Sequence, residues 1–191
     1  MDIIKKLAQE LAVKEEQAKA AVQLIDEGNT IPFIARYRKE MTGALNDETL
    51  RNLHERLLYL RNLEDKKKQV INAITEQGKL TDDLKKKILS AETLVAVDDL
   101  YRPYRPKKQT RATKAKEKGL EPLANILLLQ KTSRSMEEEA QSFVNEAKGV
   151  ANVKEAIAGA KDIIAEMIAD KADYRKSIRN CTMKQGRLVV K

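Results

Sequence analysis

The residues best suited to chemistry lie between Tyr101 and Lys118, where tyrosine, arginine and proline alternate before a run of lysines. This segment, here called the basic belt, contains eight Lys and Arg against one acid, Glu117, so it carries +7 of the chain's net charge of +8. Guanidinium groups bind phosphate through paired hydrogen bonds, lysines add mobile point charges, and tyrosine rings stack on unpaired bases. The composition of the belt therefore predicts a polyanionic partner.

The spacing of the prolines predicts how the belt presents these groups. Arg102 and Arg105 each precede a proline, which disfavours helical backbone, so both are expected to be extended. In polyproline II geometry Tyr101 and Tyr104 share one edge and the two arginines share another. The predicted nucleic-acid-binding residues are Tyr101, Arg102, Tyr104, Arg105, Lys107, Lys108, Arg111 and Lys114. The alternative is an exposed connector whose tyrosines pin a loop to the core.

Residue types that serve catalysis or metal binding are sparse in this chain. His54 is the only histidine and Cys181 the only cysteine, so there is no credible zinc site and no nearby base for a cysteine nucleophile. Asp98 and Asp99 are adjacent, their side chains diverge, and no third acid is close in sequence. We expect them to form ion pairs or to sit at a helix end. No cofactor and no enzymatic reaction are expected.

A second basic cluster consists of Arg36, Arg38 and Lys39, which alternate with Tyr37. On a helix, residues two apart do not share a face. We therefore expect one arginine to point to solvent while the other pairs with Glu40, Glu48 or a helix end.

Apolar residues at spacings of three and four predict helices along almost the whole chain. The longest helix is expected to begin after Asn46, whose side chain can cap it, and to end before Gly78. Another amphipathic helix is predicted from Val153 to Ile168, whereas Leu188–Val190 is typical of a strand and has no partner. The predicted fold class is all-α: helical hairpins and a small bundle, with a basic proline-containing loop.

Length and composition limit the remaining possibilities. A chain of 191 residues can form one sizeable core or two small lobes, predicted here as 1–100 and 119–185 with the belt (101–118) between them. No apolar run approaches about 18 residues, so no membrane span is predicted. The lysine runs at 66–68 and 85–87 are expected to be solvated. A single cysteine favours a reducing cytoplasm, and the lone terminal strand suggests a fragment of a longer protein.

Two stretches resemble signatures of the Tex transcription accessory protein family. The first reads GNTIPFIARYRKE (28–40), with Thr42, Gly43 and Leu45 behind it. The second reads DDLYRPYRPK (98–107) and continues through TRAT (110–113) to EKGLEPLA (117–124). The resemblance covers the chain as the family's amino-terminal helical region. It implies a bacterial cytoplasmic nucleic-acid-binding protein, with a helix-turn-helix unit in this region and RNase H-like, helix-hairpin-helix and OB-fold domains downstream.

From the resemblance and the belt together, we expect a non-catalytic domain that binds RNA or DNA without reading sequence and positions the downstream RNA-binding domains. The transcription machinery is a further expected partner. The alternative is a protein-interaction scaffold whose belt docks on acidic protein surfaces instead of nucleic acid.

Overall fold

The computed structural model describes residues 2–106 and 109–190, and throughout these ranges the regular elements are helices, as predicted. No helix there is both long enough and apolar enough to cross a bilayer. The helices are α1 (Ile3–Leu11), α2 (Glu15–Asp26), α3 (Ile31–Tyr37), α4 (Lys39–Thr42), α5 (Asp47–Glu76), α6 (Asp82–Ser90), α7 (Leu94–Tyr101), α8 (Arg111–Glu117), α9 (Glu121–Leu129), α10 (Met136–Gln141), α11 (Val153–Ala169) and α12 (Ala172–Gln185). Short 3₁₀ turns span Arg102–Tyr104 and Glu146–Lys148.

The helices form two compact units, which divide between Val97 and Asp98. The belt thus falls within the second unit. The predicted lobes 1–100 and 119–185 stay a prediction.

The first unit is built around α5, whose start was predicted correctly. Asn46 Oδ1 accepts a hydrogen bond from the backbone N–H of Thr49 at 2.7 Å, which satisfies one of the free donors at the helix start. Leu53 and Leu57 of α5 are buried against Leu7 of α1, and residues of α2 and α3 complete the same cluster. Burying each such leucine contributes about 2 kcal/mol before entropic costs.

One lysine in the run 66–68 contradicts the expectation of a solvated face. Lys67 is only 2% exposed, and its Nζ donates to Glu64 Oε1 and to the carbonyl of Leu89, both at 2.9 Å. The carbonyl belongs to the last turn of α6, where a cation is favoured by the helix dipole. Lys67 therefore ties α5 to the end of α6. Lys68 is exposed, as predicted.

The second unit is built around α11, which packs against α8 and α9. Ala115 of α8 and Ala160 of α11 are buried in this core together with Leu120. Gly159 makes the close approach possible, because a Cβ at this position would lie 2.4 Å from Leu120 Cδ1 and 3.2 Å from Ala115 Cβ. The packing of small residues thus brings the second half of the belt against α11.

Helix α12 buries none of its residues. Gly186 ends it with φ −63° and ψ 139°. Leu188–Val190 was predicted to be a strand, and this was wrong: these residues form no regular element. Strand-forming residue types alone do not produce a strand when no neighbouring strand satisfies the backbone hydrogen bonds.

Candidate nucleic-acid interface

The first half of the belt is helical instead of extended. Helix α7 runs through Tyr101, and Arg102–Tyr104 continue it as a 3₁₀ turn. The polyproline II prediction was therefore wrong at Arg102. Pro103 lies in the first turn of this short element, where the missing N–H costs no hydrogen bond. Arg105 is extended as predicted, with φ −64° and ψ 134°.

The second half of the belt contains helix α8. Thr110 caps it, since its Oγ1 accepts a hydrogen bond from the N–H of Thr113 at 3.0 Å. Ala112 and Ala115 are buried, so the basic residues of α8 occupy the opposite, solvated side. Short alanines in the core and long cations outside give this helix its orientation.

Neither tyrosine of the belt offers a fully open ring. Tyr101 and Tyr104 are both half-buried. The Arg105 guanidinium carbon lies 5.7 Å from the centroid of the Tyr101 ring, within the range of a cation–π contact. This environment favours the alternative in which the tyrosines hold a loop against the core. Base stacking by the two tyrosines stays a prediction.

The three arginines of the belt each contact a carboxylate. Arg102 Nε lies 2.9 Å from Asp170 Oδ1, and Arg105 Nη2 lies 3.3 Å from Asp98 Oδ1. Arg111 Nη2 lies 3.5 Å from an oxygen of Asp162, while its side chain is 87% exposed. Part of the positive charge that the sequence concentrates here is thus balanced locally.

The lysines of the belt differ in their surroundings. Lys116 Nζ lies 3.0 Å from Glu121 Oε1, and Lys118 Nζ donates to the carbonyl of Gly149 at 2.7 Å. Lys114 is exposed and forms no ion pair with the described residues. Lys107 and Lys108 lie outside the residues that the structure describes.

Asp99, which directly precedes the belt in sequence apart from Leu100, is buried and binds two arginines of α12. It is 5% exposed, and its two carboxylate oxygens accept hydrogen bonds from Arg175 Nε at 2.7 Å and from Arg179 Nη2 at 2.6 Å. Burial opposes ionisation of Asp99, but the hydrogen bonds from both arginines outweigh it, so the pKa of Asp99 is lowered from its ordinary value. The expectation that Asp99 forms ion pairs is confirmed.

Sequence reasoning missed the arginines that hold Asp99. Arg175 and Arg179 are four residues apart, so they share one face of α12. Their spacing was the available signal, because two cations on one face of a helix can share one carboxylate from another element. Across residues 2–106 and 109–190, no group of three or more His, Cys, Asp or Glu could hold a metal ion.

The second basic cluster lies at the junction of α3 and α4. Arg36 is exposed, whereas Arg38 is half-buried and its Nη1 donates to the carbonyl of Tyr37 at 3.1 Å. Since Tyr37 is the last residue of α3, one arginine points to solvent and the other binds a helix end, as predicted.

Two family models match this sequence. The Tex-like protein N-terminal domain matches residues 1–75, and the Tex central region-like model matches residues 131–191. Together the matches define a helical protein of the Tex-like class, with sequence from both its N-terminal domain and its central region. The chain belongs to the Tex family.

Individual relatives agree with this assignment. The transcriptional accessory protein Tex of Neisseria gonorrhoeae is 50% identical over 144 residues, which cover 75% of this chain and 19% of the relative. Protein tex of Bordetella pertussis is 45% identical over 189 residues, 99% of this chain and 24% of the relative. The human S1 RNA-binding domain-containing protein 1 is 30% identical over 185 residues, 96% of this chain and 18% of the relative. The chain thus spans about a quarter or less of the length of these proteins.

Proposed function

We propose that this chain is a non-catalytic helical part of a transcription accessory protein, and that it adds sequence-independent nucleic-acid binding to the protein's downstream RNA-binding domains and positions them. The observation that carries the proposal is the uneven distribution of charge. Residues 98–191 contain 20 Lys and Arg against 13 Asp and Glu, whereas residues 1–97 contain 17 against 16. Clustered positive charge attracts nucleic acid through its phosphates, irrespective of base sequence.

The ion pairs of the belt are compatible with this role. The side chains of Arg105 and Arg111 remain more than half exposed, and exposed pairs contribute only about 0–1 kcal/mol. A phosphate can therefore replace the carboxylate at small cost and gain two parallel hydrogen bonds. Lys114, which forms no ion pair with the described residues, supplies charge without giving up such a contact.

The proposed partners follow from the same surface and from the names of the relatives. They are RNA or DNA, the downstream domains of the same protein, and the transcription machinery, with the cytoplasm as the proposed location. A helix-turn-helix unit in this region stays a prediction.

The salt dependence of binding tests the proposal on the 191-residue chain. Affinity for a labelled single-stranded RNA and for duplex DNA is measured by fluorescence anisotropy over a range of salt concentrations. The triple variant Lys107→Ala, Lys108→Ala, Lys114→Ala is expected to flatten the slope of log affinity against log salt by about 2 on RNA and about 3 on duplex.

The matched control is the triple variant Lys131→Ala, Lys154→Ala, Lys161→Ala, which removes the same charge from exposed positions of the same unit. Its slope should equal that of the unmodified chain. Equal slopes for all three proteins, with binding intact, would show that these three lysines of the belt do not contact phosphate.

One observation favours a second candidate function, the protein-interaction scaffold. Arg102, Arg105 and Arg111 already contact carboxylates, which is the chemistry that an acidic protein surface would supply. On this alternative the belt docks on acidic surface of the downstream domains. Absence of RNA and DNA binding at low salt, together with saturable binding to the separately produced downstream domains, would favour the scaffold.

The non-catalytic part of the proposal is supported by the state of Asp99. Both of its oxygens are occupied by guanidinium groups, which leaves no free carboxylate oxygen for acid–base work. Turnover of RNA by the purified chain, abolished by Asp98→Asn or Asp99→Asn, would contradict it.

A further inference from the structure

The first unit presents a small surface that combines cations with aromatic rings, here called the α3–α4 platform. Its members are Phe33, Arg36, Tyr37, Arg38 and Lys39. Tyr37 is 60% exposed, although it is a large and partly apolar side chain. Exposed aromatic rings beside unpaired cations are the combination with which proteins hold single-stranded nucleic acid.

The cations of the platform differ from the other arginines of the first unit. Arg51, Arg56 and Arg61 have carboxylate partners in Asp47, Glu10 and Asp26. Arg36 and Arg38, which flank Tyr37, form no ion pair with any residue that the structure describes, and neither does Lys39. The first unit has almost no net charge, and its two guanidinium groups without a carboxylate partner in the described part of the chain, those of Arg36 and Arg38, both lie in the platform.

The two rings of the platform contact each other, and one of them also contacts an arginine. The centroids of Phe33 and Tyr37 lie 5.3 Å apart, with 47° between the ring planes. The Arg38 guanidinium carbon lies 5.2 Å from the centroid of Phe33. Phe33 and Arg38 are engaged in these contacts, whereas the Tyr37 ring remains largely exposed to solvent. Arg36 and Lys39 lie close to Tyr37 in sequence and can contact phosphates.

The backbone beneath the platform is firmly held. Ile34 and Thr42 are fully buried, and Thr42 Oγ1 donates to the carbonyl of Arg38 at 3.2 Å. Gln17 Nε2 of α2 donates to the carbonyls of Thr42 and Gly43 at 3.2 and 2.9 Å. A base that stacks on Tyr37 therefore has to order one side chain and no loop, which keeps the entropic cost of binding low.

We propose that the α3–α4 platform binds single-stranded nucleic acid, with an unpaired base stacked on Tyr37 and the adjoining phosphates on Arg36 and Lys39. It shares with the proposed function only the class of partner, and it is separate from the basic belt. A preference for single strands follows, because bases inside a duplex do not expose a face to the ring.

The test uses anisotropy of the 191-residue chain with a labelled single-stranded oligouridylate and with a duplex DNA of equal length. Tyr37→Ala is expected to weaken binding of the single strand about ten-fold and to leave binding of the duplex within two-fold. Tyr37→Phe keeps the ring and is expected to bind both nucleic acids like the unmodified chain. Circular dichroism checks that each variant remains helical.

The phosphate contacts are tested with the double variant Arg36→Ala, Lys39→Ala. Its salt slope on the single strand should be flatter by about 1.4. The matched control is Lys85→Ala, Lys86→Ala, which removes two charges from exposed positions of α6 in the same unit and should leave the slope unchanged.

The outcomes separate the two proposals. If Tyr37→Ala and the platform double variant both bind the single strand normally, the platform proposal is overturned, whether or not the belt binds. A protein partner would then be the remaining explanation for the exposed Tyr37. Equal losses on single strand and duplex overturn stacking. Loss in the platform variants with normal binding by the belt triple variant overturns the belt instead.

Discussion

At the scale of single residues, Asp99 shows how one carboxylate can hold a helix that buries nothing. Arg175 and Arg179 reach it from α12, which has no buried residue of its own. Hydrogen bonds between charged groups contribute about 1.5–3 kcal/mol each when they are sheltered from water. Here the two arginine side chains are more than one-third exposed, so screening by water reduces the combined contribution to about 2 kcal/mol.

Asp99→Asn is therefore expected to lower the free energy of unfolding by about 2 kcal/mol at neutral pH. The pKa of Asp99 is lower in the folded protein than its ordinary value of 3.8, so the stabilisation is fully present above that value and is lost as pH falls through the lower folded pKa. The difference between the two proteins should shrink on acidification below about pH 4. Urea denaturation at several pH values measures it.

The control for this variant is Asp162→Asn, which removes the carboxylate that faces the largely exposed Arg111. It should change the free energy of unfolding by no more than about 0.5 kcal/mol. A difference between Asp99→Asn and the unmodified chain that does not vary with pH would contradict an ionised Asp99 as the cause.

The residue scale also shows what sequence can and cannot establish. The cap at Asn46 was predictable because capping depends on neighbours in sequence. Lys67 was not, because its burial depends on the carbonyl of Leu89, 22 residues away. Arg102 was not predictable for the same reason. It precedes a proline, which favours extended backbone, but it continues α7, and its side chain binds Asp170, 68 residues away. The contacts that were missed are those between distant elements.

At the scale of elements, the packing of α8 against α11 depends on residues with small side chains or none. Gly159 faces Ala115 and Leu120, and the two helices approach closely only because it has no side chain. Amphipathic periodicity predicted α11 correctly, but it could not show that a glycine on this helix marks the contact with the belt.

Gly159→Ala is expected to lower the free energy of unfolding by about 1–2 kcal/mol, because the added methyl would overlap Leu120, which is itself buried. Helix propensity alone predicts the opposite sign, a gain of about 1 kcal/mol. Thermal unfolding followed by circular dichroism decides between them.

The neighbouring position provides the control. Ala158 is exposed on the same helix, and Ala158→Gly should cost about 1 kcal/mol from propensity alone. Stabilisation by Gly159→Ala would mean that the close contact with Leu120 is absent in solution.

At the scale of the whole molecule, each unit has its own core. The buried cluster of the first unit is drawn from α1, α2, α3 and α5 and from the loop before α5, and that of the second unit from α8 to α11 and the turns between them. The sequence predicted all-α architecture because helical periodicity extends along the chain. The two units divide between Val97 and Asp98, within α7, where no glycine or proline marks a boundary, and the predicted lobes 1–100 and 119–185 stay a prediction.

A fragment of residues 1–97 is therefore expected to fold by itself, with a helical circular dichroism spectrum and one cooperative thermal transition. Its core includes Leu7, Leu53 and Leu57, none of which needs a residue beyond position 97. Fragment 13–97 lacks α1 and should lose the cooperative transition. A non-cooperative melt of fragment 1–97 would show that its core is incomplete.

Because α12 has no buried residue and is held by the ion pairs with Asp99, we expect it to open while the core of its unit stays folded. Local opening of this kind costs far less free energy than unfolding of the unit. When α12 detaches, water hydrates the Asp99 carboxylate and the two guanidinium groups. The same water is released when the helix binds again, so the detachment is reversible. The second unit is thus expected to combine a stable core with a helix that exchanges between bound and free states on its own.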